Sequence, residues 1–191
     1  GEYRATVTRV VRDEVTVRIH DFSVEDRESP LRVELIQGIS GGDRMDDTMR
    51  KATELGVAAI VPVFTERSVV RLDAARAQRR HQHWTALAIA ACEQCTRNRI
   101  PAIAPPLDFA DWIAGLPADA ADVRRLMMAP GATHRLADDP PVRTVQLLVG
   151  PEGGLTPAEA ATAASRGFRP VQLGPRVLRT ETAGPAAIAV L

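Results

Sequence analysis

Two short runs hold the residues best placed for chemistry. Leu147-Leu148-Val149-Gly150-Pro151-Glu152-Gly153-Gly154-Leu155-Thr156-Pro157 is one, and Leu173-Gly174-Pro175-Arg176-Val177-Leu178-Arg179-Thr180-Glu181-Thr182-Ala183 is the other. Each opens as an apolar, strand-like stretch and breaks off in glycine, proline and a few charges. A buried parallel strand delivers a loop to a ligand at its carboxyl end in this way. Gly150, Gly153 and Gly154 permit positive φ and let backbone N–H and C=O groups approach a ligand with no Cβ between, Pro151 stiffens the turn, and Glu152 is the one charged side chain held by that frame. A lone glycine-rich turn is most often an ordinary connection between strand and helix. Two of them so close in sequence make a pocket.

The elements around these loops are marked by their own signals. Thr156-Pro157-Ala158-Glu159 reads as N-cap, N1 proline and capping-box glutamate, so a helix starts after the first loop and runs to about Arg166, with Gly167 as its stop. Thr180-Glu181-Thr182 offers another cap; Gly184-Pro185 breaks the next apolar stretch, and since proline is tolerated in a first turn, the final helix is expected to start near it. Upstream, Met45, Met49, Ala52 and Leu55 mark one helix face. Ala59 to Phe64 is a strand, and a long helix spans about Asp73 to Arg97 with Trp84, Leu87, Ala91 and Cys95 on one side. Leu126 to Ala129 and Val145 to Val149 are further strands. This alternation predicts an α/β domain whose parallel sheet is covered on both faces. Residues 1–36 differ, with Tyr3, Ala5 and Val7, then Val15, Val17 and Ile19, then Leu31, Val33 and Leu35 alternating as in a β-meander.

Taken together, the two glycine loops strongly resemble the signature of the SPOUT methyltransferases, and most closely the ribosomal RNA small subunit methyltransferase E family. That family has a GPEGG loop followed by an LG-x-R-[IV]-LR-x-ETA loop, which stand here at Gly150 to Gly154 and Leu173 to Ala183. Two upstream blocks fit as well: Lys51 to Val57 with Glu66-Arg67-Ser68, and Ala91 through Arg97 ending at Pro101, where the family has an Ala-x-Glu-Gln-x-x-Arg helix. The likeness runs from about residue 40 onward. In place of a family lysine before the first catalytic-domain helix, this chain has Ser40-Gly41-Gly42.

The resemblance implies a SPOUT-type parallel sheet with a C-terminal trefoil knot over residues 38–191, preceded by a partial PUA-like β-barrel for RNA binding over residues 1–37. The chain is expected to lack an N-terminal portion and to stop inside its final helix. The implied activity is S-adenosylmethionine-dependent methylation of N3 of a uridine in 16S rRNA. That nitrogen carries a proton at neutral pH and leaves negative charge on the ring when it loses it. A cation near the uracil oxygens stabilises that charge and a base accepts the proton. Arg179 is the candidate for the first role; Glu152 or Glu181 serves the second or braces a loop. The cofactor is expected against Leu148, Val149, Gly150, Pro151, Glu152, Gly153 and Gly154, and against Leu173, Gly174, Arg176, Val177, Leu178, Thr180, Thr182 and Ala183. Met128 to Gly131 would form a third wall. Arg67, Arg97 and Arg99 are the candidates for RNA phosphates, and the assembled small ribosomal subunit or its 16S rRNA is the expected partner. A two-fold homodimer is expected too, because Ala186, Ala187, Ile188, Val190 and Leu191 are too many apolar residues for one side of a short helix.

Composition narrows the alternatives. At 191 residues and 45% hydrophobic, the chain can bury one full α/β domain and a small second unit. No apolar run of membrane-spanning length and no charged-then-apolar leader is present, so the cytoplasm is expected. Net charge is zero, which argues against a general coat for nucleic acid. The charge is uneven, however. Glu66 to Arg99 holds seven Arg against three acids, whereas Ile100 to Pro141 holds three Arg against six Asp. His20, His81, His83 and His134 are scattered, and Cys92 and Cys95 lack a second cysteine pair, so no metal site is expected. No G-x-G-x-x-G spacing, phosphate loop or Ser-His-Asp grouping occurs. The alternatives that remain are a SPOUT enzyme acting on another RNA, such as tRNA or 23S rRNA, and an RNA-binding or ribosome-assembly protein without turnover.

Overall fold

The computed structural model describes residues 1–69, 73–117, 122–136 and 142–191. The chain begins with β1 (Glu2–Val11) and β2 (Glu14–Ser23), an antiparallel hairpin exposed along its whole length. Then come β3 (Arg32–Gly38), α1 (Arg44–Glu54), β4 (Ala59–Phe64), α2 (Ala74–Cys95), β5 (Ala102–Ile103), β6 (Leu107–Asp108), α3 (Phe109–Ala114), β7 (Val123–Met128), β8 (Thr144–Val149), α4 (Pro157–Ser165), β9 (Arg169–Val171) and α5 (Thr180–Val190). Seven strands form one sheet in the order β5-β4-β3-β8-β7-β9, with β6 on β4. Every strand pair in it is parallel.

Helices on both faces give the sheet two apolar layers. Leu35, Leu147, Leu126 and Val145 pack with Met45, Met49, Trp84 and Ala187 on one side; Ile36, Val63, Leu148 and Met127 pack with Trp112, Ile113 and Phe168 on the other. Strands covered on both faces must be apolar on both, which is why β4 and β8 read as near-continuous hydrophobic runs. The sequence reading of β4, α2, β8 and α4 holds closely. Thr156 caps α4 with the full capping box, and Gly167 takes φ +85° just past its end. Asp73 caps α2, and Thr96 closes it in the left-handed region.

Three expectations need correction. The alternation of Val33 and Leu35 grouped β3 with the first unit, yet β3 lies mid-sheet between β4 and β8. The final helix starts at Thr180 rather than near Pro185, which sits inside it. Tertiary contact overrides the local preference there: Gly184 and Pro185 are buried, and a β-carbon on Gly184 would lie 3.4 Å from Leu35 Cδ1. On α2 the buried face is Trp84, Ala88, Ala91 and Cys92, while Cys95 is only half-buried.

Candidate functional site

In this sheet the chain runs outward from β3 through β4 to β5, then returns to lay β8 against the other side of β3. The crevice at such a reversal, at the carboxyl ends of the strands, is where open α/β sheets bind ligands. Here the loops after β7, β8 and β9 converge on a cavity of about 740 Å³, within the roughly 300–1,000 Å³ typical of small-molecule sites. The first wall is Val149 to Leu155, the second Gln172 to Thr180, and the third Met127 to Pro130. The third wall is tied in through Ala129 N–H to Val171 O (3.0 Å) and Gln172 N–H to His134 O (2.9 Å).

The first loop is held from outside. Glu152 Oε1 accepts the Gly41 N–H (2.9 Å) and pairs with Arg44 Nη1 (3.2 Å). Arg67 Nη1 donates to Gly153 O (2.9 Å), and Glu159, already occupied in the capping box, accepts the Glu66 N–H (2.8 Å). Of the three glycines in this loop only Gly154 takes a positive φ, +68°. Gly150 and Gly153 are there for close approach instead: a β-carbon on Gly150 would meet Leu155 N at 2.9 Å, and one on Gly153 would meet Arg67 Cβ at 3.1 Å. The glycine at 153 thus makes room for Arg67.

The second loop ends at α5. Arg179 stands at its N-cap, with its side chain 79% exposed and its guanidinium 4.0 Å from Glu181 Oε1. Glu181 is the opposite case. Its side chain is 13% exposed, lines the cavity, and its Oε2 is buried with no hydrogen-bond partner. The two carboxylates of the sequence reading are therefore separated by their surroundings: Glu152 is engaged by Gly41 and Arg44, whereas Glu181 has one oxygen 4.0 Å from Arg179 and the other buried without a partner.

Most of the expected cofactor residues line this cavity: Met128, Val149 to Gly154, Leu173, Gly174, Arg176 to Leu178, Thr180 and Ala183. Two do not. Leu148 is fully buried in the second apolar layer, because alternate residues of a strand point to opposite faces, and Thr182 faces solvent on α5. Arg97 is also corrected. Its side chain is 5% exposed and donates to both oxygens of Glu28 and to Thr53 O and Val57 O, so it is a buried clamp rather than a surface group open to RNA. Burial works against its charge, but hydrogen bonding and attraction from Glu28 more than offset this and raise its pKa. Arg99 is exposed and pairs with Asp26 Oδ2 (2.7 Å). Arg67 stands at the cavity rim.

Sequence reasoning missed Arg44 and Gln37. Arg44 lines the cavity from the first turn of α1, and the run Gly41-Gly42-Asp43-Arg44 gave only the signal of a glycine turn before a helix. Gln37 is a polar residue near the end of a buried strand. Among the described residues no group of three or more His, Cys, Asp or Glu side chains is arranged to hold a metal, and no helix is long and apolar enough to cross a membrane.

Residues 27–191 match the family model described as the RNA methyltransferase domain. The ribosomal RNA small subunit methyltransferase E of Buchnera aphidicola subsp. Schizaphis graminum is 36% identical over 169 residues, covering 88% of this chain and 68% of that protein. The protein of the same name from Bacillus subtilis is 30% identical over 200 residues, covering 100% of this chain and 77% of the relative. A ribosomal RNA small subunit methyltransferase E from Neisseria gonorrhoeae, solved bound to S-adenosyl methionine, superposes with a TM-score of 0.88 at 40% identity, over 97% of this chain and 75% of that one. A methyltransferase of Legionella pneumophila, solved with the cofactor SAM bound, gives a TM-score of 0.90 at 39% identity, over 98% and 76% of the two chains.

Proposed function

Since this chain belongs to the ribosomal RNA small subunit methyltransferase E family, we propose that it methylates 16S ribosomal RNA from S-adenosylmethionine, at N3 of a uridine. One observation carries the reading. Both glycine loops line a single cavity at the carboxyl end of the sheet, in a chain that superposes on relatives solved with S-adenosylmethionine bound.

The residues present fit that cofactor. Its adenosine and methionine parts need main-chain donors and acceptors, which Val149 to Gly154 and Leu173 to Leu178 provide, and its cationic groups suit a cavity lined by the carboxylate side chains of Glu152 and Glu181. When bound, S-adenosylmethionine supplies a methyl group activated by a sulfonium. The protein's part is orientation and proton handling. Arg179, mostly exposed and held only by a long 4.0 Å ion pair to Glu181, is the cation for the negative charge that develops on the uracil oxygens. Glu181 is the acceptor for the N3 proton, and Glu152 braces the first loop through Gly41 and Arg44. Arg67, at the rim, and Arg99, exposed beyond α2, are the candidates for RNA phosphates.

On the same footing we infer a trefoil knot in the C-terminal loops, a PUA-like RNA-binding unit that includes the β1–β2 hairpin, a homodimer, and action on the small subunit in the cytoplasm. The exposure of Tyr3, Val7, Val17, Ile19 and Phe22 supports a larger β unit around the hairpin, and the exposure of Val177 and Val190 supports a partner against the cofactor loops and α5.

The test is methylation of small subunits that lack the modification, read by mass spectrometry of rRNA fragments. A methyl group on one uridine, at N3, is expected. Methyl transfer to tRNA instead would move the substrate. Cofactor binding without any transfer would leave an RNA-binding protein. The cofactor itself is checked by melting, where ligand at a hundredfold excess over Kd adds about 2.7 kcal/mol to stability.

A further inference from the structure

We propose that Gln37 is a positioning residue for the cofactor pocket, acting through Thr180 on the carbonyl of Gly150. Gln37 is wholly buried near the end of β3. A buried amide is costly unless it is hydrogen-bonded, and this one serves two acceptors: Nε2 donates to Gly38 O (3.1 Å) and to Thr180 Oγ1 (2.8 Å). The Thr180 hydroxyl in turn donates to Gly150 O (2.7 Å). A hydroxyl has one proton. Because Thr180 accepts from Gln37, that proton is directed at Gly150, and the two bonds run in one sense. The flipped amide would set Oε1 against the Gly38 carbonyl, so the orientation is fixed as well.

The three residues come from β3, from the loop after β8 and from the start of α5, with 143 and 30 residues between the bonded pairs. They meet at the chain reversal on which the cavity is built. Thr180 comes directly after the second cofactor loop, and Gly150 opens the first, so one buried bridge fixes the separation of the two walls. With its carbonyl committed to Thr180, Gly150 begins the loop in a set direction, and the peptide groups after it are presented to the cavity. Thr180 is itself buried and gives its hydroxyl to the loop rather than to a ligand. The Oε1 of Gln37 has no partner, and a β-carbon on Gly184 would come within 3.3 Å of it. A leucine or methionine of similar size would satisfy packing with no orphaned atom. The amide is therefore explained by what its NH2 group holds.

This inference rests on the reading that the cavity takes S-adenosylmethionine, and the experiment separates the two. S-adenosylmethionine binding by calorimetry, melting temperature, and the kcat and KM of methyl transfer to unmodified small subunits are measured for the wild type and for Gln37→Met, Thr180→Val, Thr180→Ser and the Gln37→Met/Thr180→Val double variant. Gln37→Met and Thr180→Val should each weaken cofactor binding about tenfold and raise the KM for S-adenosylmethionine in proportion, with kcat much less affected. Thr180→Ser, which keeps the hydroxyl, should restore affinity, and the double variant should lose about tenfold rather than a hundredfold, because the two side chains form one chain of bonds. Single variants that melt lower yet bind the cofactor as the wild type does would overturn the proposal, as would losses that multiply. Should Gln37→Met fail to fold, the contrast between Thr180→Val and Thr180→Ser decides alone. A wild type that binds no S-adenosylmethionine would overturn the cofactor reading and this role with it.

Discussion

Gly38, the last residue of β3, faces Pro151 so closely that a β-carbon on it would stand 2.5 Å from the proline nitrogen and 2.9 Å from the Gly150 carbonyl carbon. Gln37 pairs with Val149 one step earlier, so the contact falls where β8 gives way to the first cofactor loop. Gly38→Ala must push that loop outward, since backbone cannot swing aside as a side-chain end can. Overpacking of this kind costs about 1–3 kcal/mol, and S-adenosylmethionine affinity should fall at least tenfold. Scanning calorimetry and titration on the same variant check both. Lower melting with intact affinity would mean that the pocket tolerates the displaced loop.

Arg179→Ala should reduce methyl transfer by about two to three orders of magnitude, the range seen when one donor to a developing anion is removed, and should change cofactor affinity less than threefold. The guanidinium is mostly exposed and meets Glu181 only at 4.0 Å, so in the proposed role it acts when charge appears on the base. Arg179→Lys should recover part of the rate, a point charge replacing a planar fork. Single-turnover rates beside binding constants provide the check; equal losses in both would make Arg179 part of the pocket's framework.

Glu181→Gln and Glu152→Gln should differ sharply. The first alters the carboxylate proposed to accept the N3 proton, on a side chain that lines the cavity, and should slow transfer on the order of a hundredfold or more. The second keeps an oxygen for the Gly41 N–H and loses only a partly exposed ion pair with Arg44, of a kind that contributes about 0–1 kcal/mol. Rates measured at saturating cofactor distinguish them, and a Glu152→Gln variant as slow as Glu181→Gln would return the proton to Glu152.

Local chemistry made the cofactor loops and α4 legible in the sequence. Glycine, proline and capping residues act within a few positions, so Gly150 to Gly154 and Thr156 to Glu159 announced a turn and a helix start that the structure contains. What stayed hidden depends on partners distant along the chain. Gln37 was unreadable because its partner Thr180 lies 143 residues away, and the start of α5 was misjudged because contacts with β3 outweigh the local effect of Pro185. Arg97 was taken for an RNA-phosphate contact because nothing nearby in sequence reveals Glu28. β3 was misplaced for a related reason. Alternation of Val33 and Leu35 signals a half-exposed strand, but Ile36 and Gln37 are buried too, as a central parallel strand requires.

Arg97→Ala should therefore damage folding rather than RNA affinity. Removing one partner of a buried ion pair leaves the other charge uncompensated, at a cost of about 3–5 kcal/mol, and for a chain of this size that is a fall in Tm on the order of 10 °C. Glu28→Ala should destabilise in the same way, and the double variant by less than the sum, because the second change removes the stranded charge. Thermal melts in a double-mutant cycle test this. An Arg97→Ala chain that melted as the wild type does but bound RNA weakly would restore the surface role.

The same clamp borders a buried thiol, and this makes stability depend on pH at the alkaline end. Burial raises the Cys92 pKa above its ordinary 9.0, outweighing the opposite pull of Arg97. In the unfolded chain the thiol ionises near that ordinary value, while in the native state it keeps its proton to higher pH. The unfolded state then binds fewer protons, so stability is fully present below about pH 9 and declines as pH rises, by no more than about 1.4 kcal/mol per pH unit for one group. Cys92→Ala should melt lower at neutral pH, having lost a buried side chain, but should show a shallower decline above pH 9 than the wild type. Chemical denaturation at a series of pH values compares the two slopes. Parallel slopes would mean that Cys92 ionises in the native state as readily as in the unfolded one, and the alkaline loss would then belong to other groups.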